Sequence, residues 1–334
     1  MSSPEHGLVV LDEEPTDPSV GCSPDRRSLG QLLEYGLITL DKPPGPTSHE
    51  VVAWVRRILG VQKAGHSGTL DPPVTGLLPI GVGEATKALS VLLLGAKEYY
   101  AVARLHDPVH PSSLRQVLQE FTGEIYQRPP QRSSVKRVVR SRTIYELDLA
   151  EERGRLLLLR VLCQAGTYVR KLVYDIGEVL GPGATMVELR RTRVSHLTEQ
   201  SGMVTLHELL AAVDAYRTEA DEGPLRAVIH PIEATLAGLG KVIARDSAVD
   251  ALCHGAQLAV PGILQLSADI VKGDLVTVQT QKGELIALAE ATMATTEIQQ
   301  ATHGIAFLTR RVIMKAGTYP RLWRSKKTVE AGVA

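Results

Sequence analysis

Three cysteines in 334 residues, Cys22, Cys163 and Cys253, stand far apart, form no CxxC pair and leave an odd count. That excludes a disulfide framework or a zinc ribbon as the source of stability and suits a reducing compartment. Aromatic side chains are scarce too, with nine Tyr, two Trp and two Phe. The cores must therefore be built from Leu, Val, Ile and Ala, and any buried Tyr needs a reason to be there. There is no excess of either charge, 37 basic side chains standing against 37 acidic ones, so the chain is not a uniformly basic nucleic-acid binder. No long apolar run occurs; the stretch around Leu92 to Leu94 is broken by Gly95 and Lys97, well short of the roughly 20 residues of a membrane helix. Glu5, Asp12, Glu13 and Glu14 occupy the amino terminus where a secretory signal would carry basic and then apolar residues, so a cytoplasmic location is expected.

What is present is the composition of an ordinary folded chain, 44% hydrophobic and 22% charged, long enough for about two domains at roughly 150 residues each. Residues 1–35 are rich in Pro, Ser, Asp, Glu and Gly without a period and read as an extended arm. GLITLDK, Gly36 to Lys42, alternates as a strand and runs into the rigid PPGPTS bend. A helix follows, with Ser48 placed to cap it, Val51, Trp54, Val55, Ile58 and Leu59 at helical spacing, and Gly60 to end it. Beyond a glycine-rich loop, Gly65 to Gly76, the pattern predicts a helix from Glu84 to Leu94, a strand from Glu98 to Leu105 and a helix from Ser112 to Phe121. Strands from Thr143 to Leu149 and Leu156 to Gln164, a helix from Thr167 to Leu180 and a strand from Ala184 to Val194 come next. From Lys241 the texture becomes that of a small turn-rich β domain, with a hairpin between Lys272 and Ala291. The boundary falls within 225 to 240, giving domains at 36–235 and 236–325.

Charge is distributed unevenly despite the zero balance. Arg128, Arg132, Lys136, Arg137, Arg140 and Arg142 lie between Tyr126 and Ile144 with no acidic residue. Arg310, Arg311, Lys315, Arg321, Arg324, Lys326 and Lys327 form a second such stretch. One run of this kind is usually a solvated face. Two in a neutral chain point to an anionic partner, and Pro129 and Pro130 make the first a projecting loop.

Familiar catalytic signatures fail on spacing. His49-Glu50 and His207-Glu208 lack the second histidine of a metalloprotease helix, Gly81-Val82-Gly83 lacks the third glycine of a dinucleotide loop, and Gly65-His66-Ser67-Gly68 is not a nucleophile elbow. Two segments remain. In GHSGTLDPPVTG, Gly65 to Gly76, glycines allow close backbone approach and Asp71 precedes two prolines. In AGTYVRKL, Ala165 to Leu172, Tyr168 and Arg170 share the junction of a strand and a helix. Alone, the first is a turn starter and the second a core Tyr beside a surface Arg.

Taken in order, LDKPPGPTSHEV (Leu40 to Val51), GHSGTLDPPVTGLLPI (Gly65 to Ile80), KEYYA (Lys97 to Ala101), AGTYVRKL and MVELRRTR (Met186 to Arg193) resemble the TruB class of pseudouridine synthases across residues 36 to 195. The arm, the short connection after Leu105 and the closing β domain resemble the archaeal dyskerin-like branch, the catalytic subunit of box H/ACA guide-RNA particles. The resemblance implies an α+β fold: a catalytic domain with a mixed, mostly antiparallel sheet and flanking helices, followed by a small β-rich PUA-like domain. It implies Asp71 as catalytic aspartate, Tyr99 stacking on the target base, Tyr168 as the second active-site tyrosine, Arg170 pairing with the carboxylate and Leu189 as an apolar wall. Lys42 matches the family's first motif and His66 the glycine-loop histidine near the flipped nucleotide; for each the resemblance leaves open a substrate-binding role or a purely supporting one. Arg128, Arg132, Lys136, Arg137 and Arg140 fall in the family's thumb loop over substrate RNA, and the PUA-like domain in the platform for guide RNA. The implied partners are guide and substrate RNA, small Nop-type and Gar-type proteins and a kink-turn-binding ribosomal-type protein, with no membrane and no cofactor.

The implied reaction moves the ribose from a ring nitrogen of uracil to a ring carbon without redox change. The uridine must leave its stack before a side chain can reach the sugar, which gives an aromatic face and an apolar wall their use. A carboxylate acting as nucleophile or base must be ionised, and a guanidinium about 4 to 6 Å away favours that form. Rival readings are a stand-alone tRNA uridine isomerase and an RNA-binding scaffold without catalysis; the set Asp71, Tyr99, Tyr168 and Arg170 argues against the scaffold.

Overall fold

Strands that are far apart in sequence meet in one long sheet in the order Gly36–Lys42, Thr75–Val82, Ala184–Val194, Lys97–Leu105, Leu156–Cys163, Arg140–Arg153 and Gly123–Gln127. Thr75–Val82 and Ala184–Val194 run parallel, and the pairs from Ala184–Val194 onward are antiparallel. These are details of a computed structural model that describes residues 7–128 and 138–321. The chain divides into two units, one of Ile38–Ile80 and Leu89–Ile229, the other of Met1–Leu37, Gly81–Ala88 and His230–Ala334.

Period-two patterning decides the faces of the long sheet. Leu157, Leu159, Val161 and Cys163 alternate inward along Leu156–Cys163 and meet Ala101, Ala103 and Leu105 of the neighbouring strand. Val169, Leu172, Val173 and Ile176 recur at helical spacing on Val169–Leu180 and cover the same cluster, with Leu114 and Leu118 of the helix Pro111–Glu120. Each such leucine, fully buried, contributes about 1.5–3 kcal/mol. The core thus fixes the strand that carries Tyr99 and the helix whose first turn carries Arg170.

Two local expectations are corrected. The helix Ser48–Leu59 is capped by Thr47, whose hydroxyl accepts from the Glu50 amide while Glu50 reaches back to the Thr47 amide. Ser48 is the first helical residue, and its buried hydroxyl instead accepts from Leu70 N at 2.9 Å and donates to Leu70 O at 3.1 Å, tying the helix to the residue before Asp71. Gly60 ends the helix at φ 69°, as the spacing predicts. The predicted helix from Glu84 to Leu94 is two pieces, a tight 3-10 turn Gly83–Lys87 and a short α-helix Ser90–Leu94. Lys97 closes the second piece by donating to the carbonyls of Leu92, Leu93 and Gly95.

The β-rich unit contains a seven-stranded sheet in the order Leu8–Val10, Ile263–Ser267, Gly240–Ala244, Leu275–Gln279, Leu285–Ala291, Ile305–Val312 and Leu258–Ala259. Leu275–Gln279 and Leu285–Ala291 form the antiparallel pair expected between Lys272 and Ala291. The amino-terminal segment adds the edge strand Leu8–Val10, lays Val9, Leu11 and Val20 against the core, and places Asp12 and Glu14 on Arg245. Tyr319, buried, has its reason in the hydroxyl that donates to Glu284 Oε2 at 2.9 Å. The second basic stretch is partly neutralised within the fold, Arg310 pairing with Glu290 at 2.7 Å and Lys315 with Glu34 at 2.9 Å. Arg324, Lys326 and Lys327 lie outside the described residues.

Candidate active site

The loop between the strands Ala64–His66 and Thr75–Val82 presents Asp71. Lys42, fully buried at the end of its strand, donates from Nζ to Pro43 O at 2.9 Å, Pro72 O at 3.0 Å and Val74 O at 2.9 Å. An ammonium has three donors and all three are used, two of them on the residues just after Asp71. Burial lowers the Lys42 pKa and the Asp71 charge opposes that shift. Gly45 N adds a bond to Pro72 O at 2.9 Å. The sequence reading left Lys42 between a chemical and a supporting role; these contacts are those of a support.

Arg170, the second residue of Val169–Leu180, donates from Nη2 to Asp71 Oδ2 at 3.2 Å, joining residues 99 positions apart. Both side chains are open, Arg170 60% and Asp71 64% exposed. In water such a pair contributes little to stability. In the free chain the pair is thus open to solvent, and exclusion of water must come with whatever covers the site.

Tyr168 precedes this helix and caps it through backbone alone, without a side-chain cap bond. Buried Gln127 holds it by both ends of its amide, accepting from Tyr168 N at 3.0 Å and donating to Tyr168 O at 3.2 Å. Gln127 pairs in register with Arg140 at the end of the hairpin Gly123–Gln127 and Arg140–Arg153 where the two strands are connected. The expected basic loop spans that end, with Arg128 exposed and Arg140 half-buried beside it. Arg132, Lys136 and Arg137 lie outside the described residues.

Tyr99 is half-buried against the central core and sits in register with Arg191 on the next strand. Burial pushes its phenol up while the Arg191 guanidinium opposes the shift, so the ring is neutral at physiological pH. Arg191, 1% exposed, donates from Nε to Leu77 O at 2.8 Å and from Nη2 to Gly68 O at 3.1 Å. It thereby bridges the Gly65 to Gly76 loop to the Tyr99 strand. Gly76 is required at this crossing: its φ is 100° and a Cβ there would stand 2.2 Å from Arg191 O. The sequence marks neither Gln127, which stands in no motif, nor Arg191, which nothing sets apart from Arg190 and Arg193 within MVELRRTR.

His66 meets the His49 ring edge-on with centroids 5.1 Å apart, and its Nδ1 is buried with no hydrogen-bond partner among the described residues. Burial first, then the neighbouring His49 and Arg191, push the imidazole from 6.5 down to about 4. His66 is thus neutral near pH 7. Stability resting on the neutral ring is complete above pH 6.5 and is lost as pH falls toward about 4. The melting temperature of the parent should fall more steeply across that window than that of His66→Gln; parallel curves would contradict the assignment.

A cleft of about 430 Å³ borders the Asp71–Arg170 pair, lined among others by Pro73, Val74, Arg170, Tyr174, Met186 and Leu189. The structure thus brings Arg170 and Leu189 together on one cleft, and Asp71 adjoins it through its bond to Arg170 without being part of the lining. Tyr99, Tyr168 and His66 stand outside that lining. Among the described residues no cluster of three His, Cys, Asp or Glu side chains is arranged to hold a metal ion.

Residues 56–169 match the N-terminal domain of TruB family pseudouridylate synthases, residues 170–237 the tRNA pseudouridylate synthase B C-terminal domain, residues 240–313 the PUA domain and residues 4–52 the DKCLD domain. The chain is 52% identical over 323 residues to a "probable tRNA pseudouridine synthase B" of Methanosarcina acetivorans, covering 97% of this chain and 95% of that one. It belongs to the TruB family of pseudouridylate synthases. Among solved structures it is similar to the archaeal Cbf5 chain of a box H/ACA Nop10–Cbf5 complex, at 44% identity and TM-score 0.88 over 96% of this chain and 100% of that one. A chain of an H/ACA particle bound to substrate RNA containing 2′-deoxyuridine matches at the same identity and TM-score, over 95% of this chain and 97% of that one.

Proposed function

We propose that this chain isomerises uridine to pseudouridine in RNA selected by a guide, as the catalytic subunit of an H/ACA particle. The observation that carries the chemistry is Asp71 held 3.2 Å from Arg170, which lines the adjoining cleft with Leu189. Similarity over nearly the whole chain to Cbf5 in Nop10, Gar1 and substrate-RNA complexes supports the guided form. The name tRNA pseudouridine synthase B, carried by the curated relative quoted above, supports the stand-alone alternative.

In this reading the flipped uracil rests on the neutral ring of Tyr99, with Leu189 as the opposite wall. Stacking offsets part of the few kcal/mol that unstacking costs. Asp71 attacks as nucleophile or base, Arg170 holds it ionised once RNA excludes water, and Tyr168 takes the proton from the new carbon attachment point. Lys42 and Arg191 hold the loop and the strand in position, and His66 lies beside the flipped nucleotide as a neutral ring. Residues 1–35 serve as the arm, 36–235 as the catalytic domain and 236–325 as the PUA-like grip on guide RNA. Base pairing then supplies sequence selection, while phosphate contacts supply affinity. A Nop-type and a Gar-type protein and a kink-turn-binding ribosomal-type protein complete the particle, and the free thiols suit a cytoplasmic setting.

Purified chain should convert the uridine of a guide-paired target with the Nop- and Gar-type proteins present, and do so faster than it converts tRNA alone. Equal conversion of tRNA without guide would favour the stand-alone form. Neutralising Arg137 and Arg140 should weaken RNA binding and reduce the slope of log affinity against log salt by about 0.7–0.9 per lost phosphate contact. An unchanged slope removes that loop from the interface.

A further inference from the structure

The cleft beside Arg170 shares Leu189 with the expected uracil site but has none of Tyr99, Tyr168 and His66 in its lining, and it reaches an aromatic side chain. Tyr174 is 50% exposed, although aromatic residues are few in this chain and the core of its helix is complete without it. It follows Arg170 by four positions on Val169–Leu180, so the two share one face about 6 Å apart along the axis. That step exceeds the roughly 3.4 Å between stacked nucleotides, as a strand splayed open around a flipped residue requires. The Lys171 ammonium lies 5.0 Å from the centre of the Tyr174 ring and pairs with Asp175, which limits the ring's freedom. Across the cleft, Met186 and Val187 offer apolar contact, and Thr185 and Glu188 offer polar groups. A carboxylate suits the amino group of a base or a ribose hydroxyl, and not a phosphate. The volume, about 430 Å³, falls within the roughly 300–1,000 Å³ of small-molecule sites.

We propose that the Tyr174 end of this cleft is a second nucleotide subsite in which the base flanking the target uridine stacks on Tyr174. The inference rests on the reading of Asp71 and Arg170 as the uridine site. It makes recognition two nucleotides wide: one residue is presented to Asp71, and its neighbour is held one helical turn away. Holding the neighbour keeps the strand splayed, so part of the unstacking cost is offset outside the reacting pocket.

The test uses the full chain in the assembled particle, with target RNAs carrying 2-aminopurine at the position before or after the uridine. Its fluorescence should be quenched on binding at one of the two positions, the quench should persist in Tyr174→Phe and vanish in Tyr174→Ala. Tyr174→Ala should also weaken target binding about tenfold, whereas a target with an abasic residue at the quenched position should bind parent and Tyr174→Ala alike. Quenching unaltered in Tyr174→Ala, or affinity equal to the parent on the intact target, overturns the subsite. Pseudouridine measured in the same samples separates the two claims. Product without a Tyr174-dependent quench sinks the subsite alone, and a quench without product from the parent sinks the catalytic reading while the base-stacking site stands.

Discussion

Replacing Asp71 with Asn is expected to lower single-turnover pseudouridine formation by about 10⁴-fold or more while leaving RNA affinity unchanged. Asparagine keeps the shape and can still accept the Arg170 bond at Oδ1, so the loop need not move. The loop is held independently by Lys42 on Pro72 and Val74 and by Ser48 on Leu70. Because both partners of the Asp71–Arg170 pair are more than half exposed, losing the charge costs the fold little. What Asn cannot do is supply a negatively charged oxygen to the sugar or the ring. Thin-layer or mass-spectrometric analysis of the target after a single turnover measures this directly. Product at parental rate would transfer the chemistry to another group; loss confined to the variant, with binding intact, removes the scaffold alternative.

Tyr168→Phe is expected to slow product formation by about 10²- to 10⁴-fold, the usual worth of a positioned acid or base. The substitution is clean because the hydroxyl makes no cap bond and Tyr168 is held through its backbone by Gln127. The effect should fall on removal of the proton from the ring carbon. A target deuterated at that carbon should therefore show a larger isotope effect with the variant than with the parent. An unchanged rate, under conditions where breaking the glycosidic bond is not limiting, rules out the role.

Much of this site can be read from the sequence because its chemistry sits in short motifs. Asp71 and Arg170 are 99 positions apart, yet each is marked by its neighbours, and the fold joins them at 3.2 Å. The supports are harder to read. Lys42 ends a mostly apolar strand and Arg191 lies in one that also carries Glu188, Arg190 and Arg193, and charge alone predicts a surface position for both. They are buried because main-chain carbonyls of the Gly65 to Gly76 region turn toward them, an arrangement set by the loop's path and not by any local pattern. The choice between Thr47 and Ser48 as cap was open because adjacent hydroxyls carry the same propensity; Glu50, three residues after Thr47, is the signal that decides it. Between Glu84 and Leu94 apolar spacing does not tell a 3-10 turn from an α-helix, and there the observed break falls. Tyr174 lay unread within a helix whose apolar face accounted for the pattern.

Reprogramming the guide tests the central claim most directly. A particle assembled on a guide whose pairing element has been exchanged should place pseudouridine at the newly specified uridine and leave the old one unmodified, with no product at either when Asp71 is Asn. Modification that stays at one fixed site whatever the guide, or that survives in the Asp71→Asn particle, would contradict the account.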